Sequence, residues 1–442
     1  MDKKKIKTLF FVAISIGIIV FGIFKGKGYL KNKNRPNIIL ITLDALRADH
    51  LGCYGYPKDT SPFIDSIAKE SIVFRDCIVQ SASTVPSMSS IFTSKFPYID
   101  GAVTPQYTLG QKYMTLAESL KERGYTTVAI SGHKYVKKMF GFSRGFDYYN
   151  DDYKRWRNAD EFLEIVTNFF DEKDIKRSFF LWMHIREPHA PYIELDDYIK
   201  HFSEPFAGEI ESQQYEICGS KHFLTNKKIN DLVARYDGNI RYADDNLKKI
   251  FDYFKNEGLL KDSIIIITAD HGESLGEHNI FDHNHLYYGI LHVPLIVKIP
   301  NKKEKYIDYP VSSLDIFPTI LEILGYQELA AHLELRGKSL LMKRGPDYVQ
   351  FSESFDSSSV IKQGWRLFID SKNNNSMLYN INHDPKEKNN LINDRVDIYE
   401  SLHEDLDHIL SSTKEDGTIE VDKKAILSKE DIESLKALGY IN

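Results

Sequence analysis

The sequence predicts an α/β protein, with a large, mostly parallel sheet flanked by helices and a smaller C-terminal α+β subdomain. Three observations carry that prediction. Short, continuous apolar runs recur at Asn37–Leu43, Thr126–Ile130, Phe179–Met183 and Ser263–Ile267, as expected of strands buried on both faces. Helical patterns lie between them. After about residue 345 the runs shorten and a charged helical tail follows.

The elements follow in chain order. Residues 1–35 form a segment apart: Lys3, Lys4, Lys5 and Lys7 precede an apolar run from Leu9 to Phe24, and Lys25, Lys27, Lys31, Lys33 and Arg35 follow it. Sixteen residues are slightly short of the roughly 20 that span a bilayer, and lysines snorkelling at both ends make up the difference. No small-residue cleavage pattern follows the run, so we expect a retained single-pass anchor through residues 9–24. Both flanks are basic, so charge does not decide the topology.

The apolar run at Asn37–Leu43 ends at Asp44. Thr84-Val-Pro86 places a threonine at the start of a helix running to about Thr93, with Pro86 in its first turn. Free N–H groups there favour an oxyanion or a developing alkoxide, although an ordinary threonine cap has the same look. Thr115 with Glu118 forms a capping box, and Gly124 ends that helix. Ile240, Ala243, Leu247, Ile250, Phe251 and Phe254 recur at helical spacing. The run ending at Ala269 leads into Asp270-His271-Gly272, a carboxylate and an imidazole directly after a buried strand. In such sheets, functional side chains gather at the carboxyl ends of strands. His184, at another strand end, suits a structural or a catalytic role equally. The domain boundaries read 1–35, 36–344 and 345–442, with pieces of strand at Tyr348–Phe351, Trp365–Ile369 and Met377–Tyr379 and a hairpin turn at 372–375.

The formal net charge is −6; removing the nine basic and one acidic side chains of the first 35 residues leaves −14. Such a body repels nucleic acid. Three cysteines, Cys53, Cys77 and Cys218, have no metal-ligand spacing.

Set in order, these motifs are similar to those of the sulfatase family in the alkaline phosphatase superfamily. The resemblance runs through Asp44-Ala-Leu-Arg47, Thr84-Val-Pro-Ser-Met88, His184 to Tyr192, Asp237 to Asp245, Asp270 to His278, Met377 to Leu391 and Leu435 to Tyr440. It implies an alkaline-phosphatase-like fold and one or two divalent metals at Asp44, Asp270 and His271, completed by Thr84. It also implies substrate-oxygen contacts from His189 and from His283 and His285, and an extracytoplasmic catalytic domain.

Either of the last two histidines can aid the leaving group, and His285 is slightly preferred. His133 matches a substrate-binding position loosely. The chain departs from the family at three places. Thr84 stands where sulfatases oxidise Cys or Ser to formylglycine, Met88 replaces the family's arginine, and Ala45 stands where a second Asp is common. Oxidised threonine would be a ketone, so the expectation is direct attack by the threonine, as in the superfamily's phosphoester branch. The donor set suits Mn²⁺ or Zn²⁺ at least as well as Ca²⁺.

The expected activity is hydrolysis of a sulfate or phosphate ester on a small molecule, glycan or lipid head group. The alternatives are transfer of a phosphoethanolamine or phosphoglycerol unit to a lipid or glycan, and a glycan-binding protein without activity.

Overall fold

A computed structural model describes residues 35–102, 108–152, 156–173, 175, 178–193, 195–202, 225–281, 283 and 285–415. The anchor expected at residues 9–24 and the ending at 435–440 lie outside them. Among the described residues no helix is long and apolar enough to cross a membrane.

The strands are β1 (Ile38–Leu43), β2 (Ile72–Phe74), β3 (Cys77–Ile78), β4 (Thr126–Ser131), β5 (Tyr148–Asn150), β6 (Phe179–Ile185), β7 (Ile264–Ala269), β8 (Leu295–Lys298), β9 (Lys305–Ile307), β10 (Val311–Ser312), β11 (Gln350–Ser354), β12 (Ser357–Lys362), β13 (Trp365–Asp370) and β14 (Asn375–Asn380). Eight of them form one sheet in the order β5-β4-β6-β1-β7-β8-β2-β9. Within it β8 alone runs against the rest. Every residue of β1, β6 and β7 is buried, which is why these strands read as unbroken apolar runs.

Register aligns the functional ends of the sheet. Leu43 pairs with both Ile185 and Ala269, and Ser131 pairs with His184. Asp44, Asp270, His184 and His133 therefore lie together at the carboxyl ends of the adjacent strands β4, β6, β1 and β7.

The helix Thr84–Thr93 is buried along its whole length, and Phe92 packs its ring 4.7 Å from that of Trp182 in β6. The helix Leu116–Glu122 carries the expected capping box. The helix Asn226–Asn256 buries the predicted stripe from Ile240 to Phe254.

The C-terminal sheet, β11-β12-β13-β14, is antiparallel. The helix Val396–Glu415 covers it, with Leu402 and Leu406 against Val360, Leu367 and Leu378. The sheet is tied to the large domain beside the site. Ser352 Oγ donates to Val79 O at 2.6 Å, Glu353 N donates to Gln80 O at 2.8 Å, and the buried Arg366–Glu387 pair holds Leu286 O and Tyr288 N.

Candidate metal centre

Asp44 immediately follows β1 and is fully buried. The next residue, Ala45, takes a left-handed conformation with φ 60°, at a cost of roughly 1 kcal/mol for a residue with a Cβ. This turn aims its N–H at Asp270 Oδ1, 3.3 Å away, while Tyr236 donates to its carbonyl at 2.7 Å. Asp270 follows β7, and its Oδ1 also accepts from the His271 N–H at 2.9 Å. Gly272 then passes so close to the segment at Gly289 that a Cβ there would meet Gly289 O at 2.6 Å. That approach explains the glycine in the Asp-His-Gly run.

His271 Nδ1 donates to Gly272 O at 2.8 Å. A carbonyl can only accept, so in the neutral ring Nε2 carries the lone pair. That lone pair faces Thr84 Oγ1 at 3.3 Å, Asp44 Oδ1 at 3.6 Å and Asp270 Oδ2 at 3.6 Å. Neither oxygen of Asp44 nor Oδ2 of Asp270 has a hydrogen-bond partner among the described residues. Acceptors facing acceptors in a buried site form a seat for a cation. Separations near 3.5 Å are also what ligands at about 2.0–2.2 Å from a common ion would show. The residues therefore fit a divalent metal.

Thr84 is the first residue of its helix, 2 % exposed, and Ser83 before it makes no side-chain cap. Ser87, one turn on, donates to Asp270 O at 2.5 Å and pins the helix start to the metal-binding loop.

The electrostatics point the same way. Burial, and then the charge of Asp270, hold Asp44 well above the usual carboxylate range, and burial raises Asp270 as well. Burial pushes His271 and His184 down to about 4. Burial also holds His133 and His189 well below the ordinary imidazole value. Neutral imidazoles beside buried carboxylates that repel one another are the state a metal site adopts before binding.

A second group of histidines closes the site. His133 Nε2 lies 3.3 Å from Asp44 Oδ2, and His184 Nε2 lies 3.6 Å from the same oxygen. His189 Nε2 is 3.0 Å from His283 Nε2, and the His283 ring stacks on that of His271 with centroids 4.2 Å apart. His283 Nδ1 donates to Ala82 O at 2.7 Å.

Asp44, Thr84, Asp270, His271, His133, His189 and His283 are thus gathered in one place. His285 is not. It is half-buried, with its ring 6.1 Å from that of Tyr287. The loop turns His283 towards Ala82 and stacks its ring on His271, whereas the sequence alone slightly prefers His285.

Two neighbours were missed at the sequence level. Arg186 bears on Asp44, donates to His189 O at 3.2 Å and lies over the Trp156 ring. Trp156 packs 4.4 Å from the ring of His133. An arginine directly after a buried strand was a usable signal. Trp156 arrives from a loop and offered none.

The sulfatase family model matches residues 36–326. An arylsulfatase of Clostridium perfringens is 25% identical over 436 residues, covering 81% of this chain and 90% of its own. An N-acetylglucosamine-6-O-sulfatase of Bacteroides thetaiotaomicron is 23% identical, covering 81% and 82%. Among solved structures, one in complex with its substrate D-glucosamine-2-N,6-O-disulfate superposes with a TM-score of 0.72 at 19% identity, covering 88% of this chain and 100% of that one. A phosphonate monoester hydrolase of Agrobacterium radiobacter superposes with a TM-score of 0.70 at 18% identity, covering 86% and 96%. With the model spanning about two thirds of its length, the chain belongs to the sulfatase family, the sulfuric ester hydrolases of the alkaline phosphatase superfamily.

Proposed function

We propose that this chain is a divalent-metal-dependent hydrolase of sulfate or phosphate esters in which Thr84 is the nucleophile. The observation that carries the reading is the Thr84 hydroxyl at a helix start, 3.3 Å from the lone pair of His271, with two buried carboxylates beside it. Asp44, Asp270 and His271 would hold the ion, with Thr84 Oγ1 completing the set. Bound there, a divalent cation supplies charge neutralisation for the ester oxygens and a lower pKa for the hydroxyl.

Thr84 Oγ1 attacks the central sulfur or phosphorus in line, and the bond to the leaving oxygen breaks. The helix N-terminus contributes free N–H groups towards the displaced charge. His283, whose Nδ1–H is held by Ala82 O, takes up on its Nε2 lone pair the proton that Thr84 releases and passes it to the leaving oxygen. Water then cleaves the threonine ester.

The same fold serves sulfatases and a phosphonate monoester hydrolase, so fold alone does not choose the centre attacked. Thr84 does bear on it. A threonine cannot be oxidised to the aldehyde used by formylglycine sulfatases, and it must attack through its own oxygen. We place phosphorus esters first on that ground. We also read residues 9–24 as an anchor that holds the catalytic domain outside the cytoplasm, which protease protection of vesicles would test.

The deciding experiment screens the purified chain against aryl sulfate, aryl phosphate, phosphodiester and phosphonate esters, with Mn²⁺, Zn²⁺ and Ca²⁺ each supplied. Turnover of at least one class should fall by about 10³-fold or more in Thr84→Ala. Full turnover in that variant would overturn the assignment.

A further inference from the structure

Ala45 sits in a left-handed turn directly after Asp44, at φ 60°, where a residue with a Cβ is strained. The Asp44 N–H closes the strand ladder with Ile185 O at 2.9 Å, and the chain leaves the sheet at the next residue. The aim of the Asp44 carboxylate therefore depends on what keeps this turn in place. The helix Asn226–Asn256 supplies the hold. A single hydroxyl, that of Tyr236, donates to Ala45 O at 2.7 Å and accepts from Arg47 N at 2.9 Å. It bridges the two ends of the turn, and Tyr236 is 0 % exposed.

We propose that Tyr236 is a positioning residue: its hydroxyl fastens the strained turn at Ala45 and so sets the aim of the Asp44 carboxylate. The role rests on reading Asp44 as a metal ligand, and it acts through the backbone alone.

The surroundings of Tyr236 suit that role. Burial raises it well above the ordinary phenol value, so the hydroxyl keeps the proton it donates. The rings of His50 and Tyr192 meet it edge-on, with centroids 5.0 and 6.0 Å away. The helix that carries it is pinned to the chain beyond the turn. Asp237 accepts from His50 Nδ1 at 2.8 Å, from the Tyr56 hydroxyl at 2.7 Å and from Lys58 Nζ at 2.9 Å. Asp244 accepts from the N–H groups of Phe63 and Ile64, each at 2.8 Å. The turn also braces the opposite loop, because the Arg47 guanidinium donates to Glu273 O at 3.0 Å, just past Asp270 and His271. Removing one hydroxyl would leave a buried carbonyl and a buried N–H without that partner and free Ala45 to abandon its strained angle.

The test uses the full chain, stripped with chelator, in wild-type form and as Tyr236→Phe, Tyr236→Phe/Ala45→Gly and Tyr54→Phe. Tyr54 is a matched control: its hydroxyl also joins a backbone carbonyl and N–H, donating to Phe74 O at 2.9 Å and accepting from Leu295 N at 2.7 Å. Mn²⁺ affinity is read from the free-ion signal in electron paramagnetic resonance. Tyr236→Phe should raise the dissociation constant about 10- to 100-fold, and Tyr54→Phe should leave it within a few-fold. Glycine takes φ 60° without a Cβ penalty, so Ala45→Gly in the Tyr236→Phe background should recover much of the loss. Hydrogen exchange without metal gives a second reading: the Arg47 amide should be protected in the wild type and should exchange at least about tenfold faster in Tyr236→Phe. An Arg47 amide already exchanging at the free-chain rate in the wild type would overturn the clamp with no variant at all. Unchanged Mn²⁺ affinity in Tyr236→Phe, an equal loss in Tyr54→Phe, or no recovery with glycine would overturn this role alone. A wild type that binds no Mn²⁺, Zn²⁺ or Ca²⁺ would overturn the metal reading and this role with it.

Discussion

Asp270→Asn should make the protein more stable without metal and less stable with it. The substitution keeps the acceptor Oδ1, so the bonds from His271 N at 2.9 Å and Ala45 N at 3.3 Å survive. What changes is Oδ2, which lies 3.6 Å from the His271 lone pair. An amide N–H₂ placed there can donate to that lone pair. Ligand oxygens of Asp44 and Asp270 lie within 4.8 Å. At an effective dielectric near 20, two ionised carboxylates at that distance repel by about 3 kcal/mol. Burial and this repulsion already hold Asp44 well above its ordinary range, so proton uptake relieves part of it. On the order of 1 kcal/mol should remain for the variant to gain in chelator. With metal the balance reverses. An ion present at 100 times its dissociation constant stabilises the wild type by about 2.7 kcal/mol, and the variant, short of one charged ligand, should gain much less. Denaturant unfolding of both proteins in chelator and in saturating Mn²⁺ or Zn²⁺ measures the four free energies. Equal metal-induced stabilisation of the two would refute the placement of the ion at Asp270.

Three further outcomes follow from particular residues. His283→Ala should lower turnover by about 10²- to 10⁴-fold, whereas His285→Ala should leave it within a few-fold, since only the former ring stacks on His271; a reversed order would restore His285 to the site. Glu353 lies in the C-terminal sheet, and burial pushes it up from 4.5 to about 8. Between those values the native state keeps a proton that the unfolded chain has lost, so stability should fall with rising pH by about 1.4 kcal/mol per unit and level off above pH 8. Glu353→Gln keeps an acceptor for Tyr98 N and should remove that slope; unfolding curves from pH 5 to 8 that stay parallel for the two proteins would contradict it. Thr84→Ser keeps the hydroxyl and should retain far more turnover than Thr84→Ala, and equal loss in both would mean the oxygen is not what matters at that position.

The central strands and the cluster of Asp44, Asp270 and His271 were legible because local chemistry announces them. β1 and β7 are almost wholly aliphatic, Ile-Ile-Leu-Ile-Thr-Leu and Ile-Ile-Ile-Ile-Thr-Ala, each followed directly by an aspartate. Thr84 was legible because Pro86 marks a first helical turn. Other elements have no such local mark. β12 begins Ser-Ser-Ser and is held in its sheet by pairing with β11 and β13, not by hydrophobic pattern. β3 and β10 are two residues each, far too short for periodicity to show. The approach of His133 to Asp44 depends on the register that sets β4 beside β6 and β6 beside β1, an arrangement of strands distant in the chain. In the loop at 283–285, alternation alone does not say which histidine turns inwards. Contact with Ala82 O decides it, some 200 residues away in sequence.

The most direct test is a search for the covalent intermediate. The metal-loaded chain is mixed with an aryl phosphate or aryl sulfate, quenched in acid during turnover, digested and mapped by mass spectrometry. A phosphoryl or sulfuryl group on the peptide that carries Thr84-Val-Pro-Ser-Met88, localised to the threonine and absent from Thr84→Ala, is the predicted result. Steady turnover with that peptide unmodified, or with the group on another side chain, would contradict it.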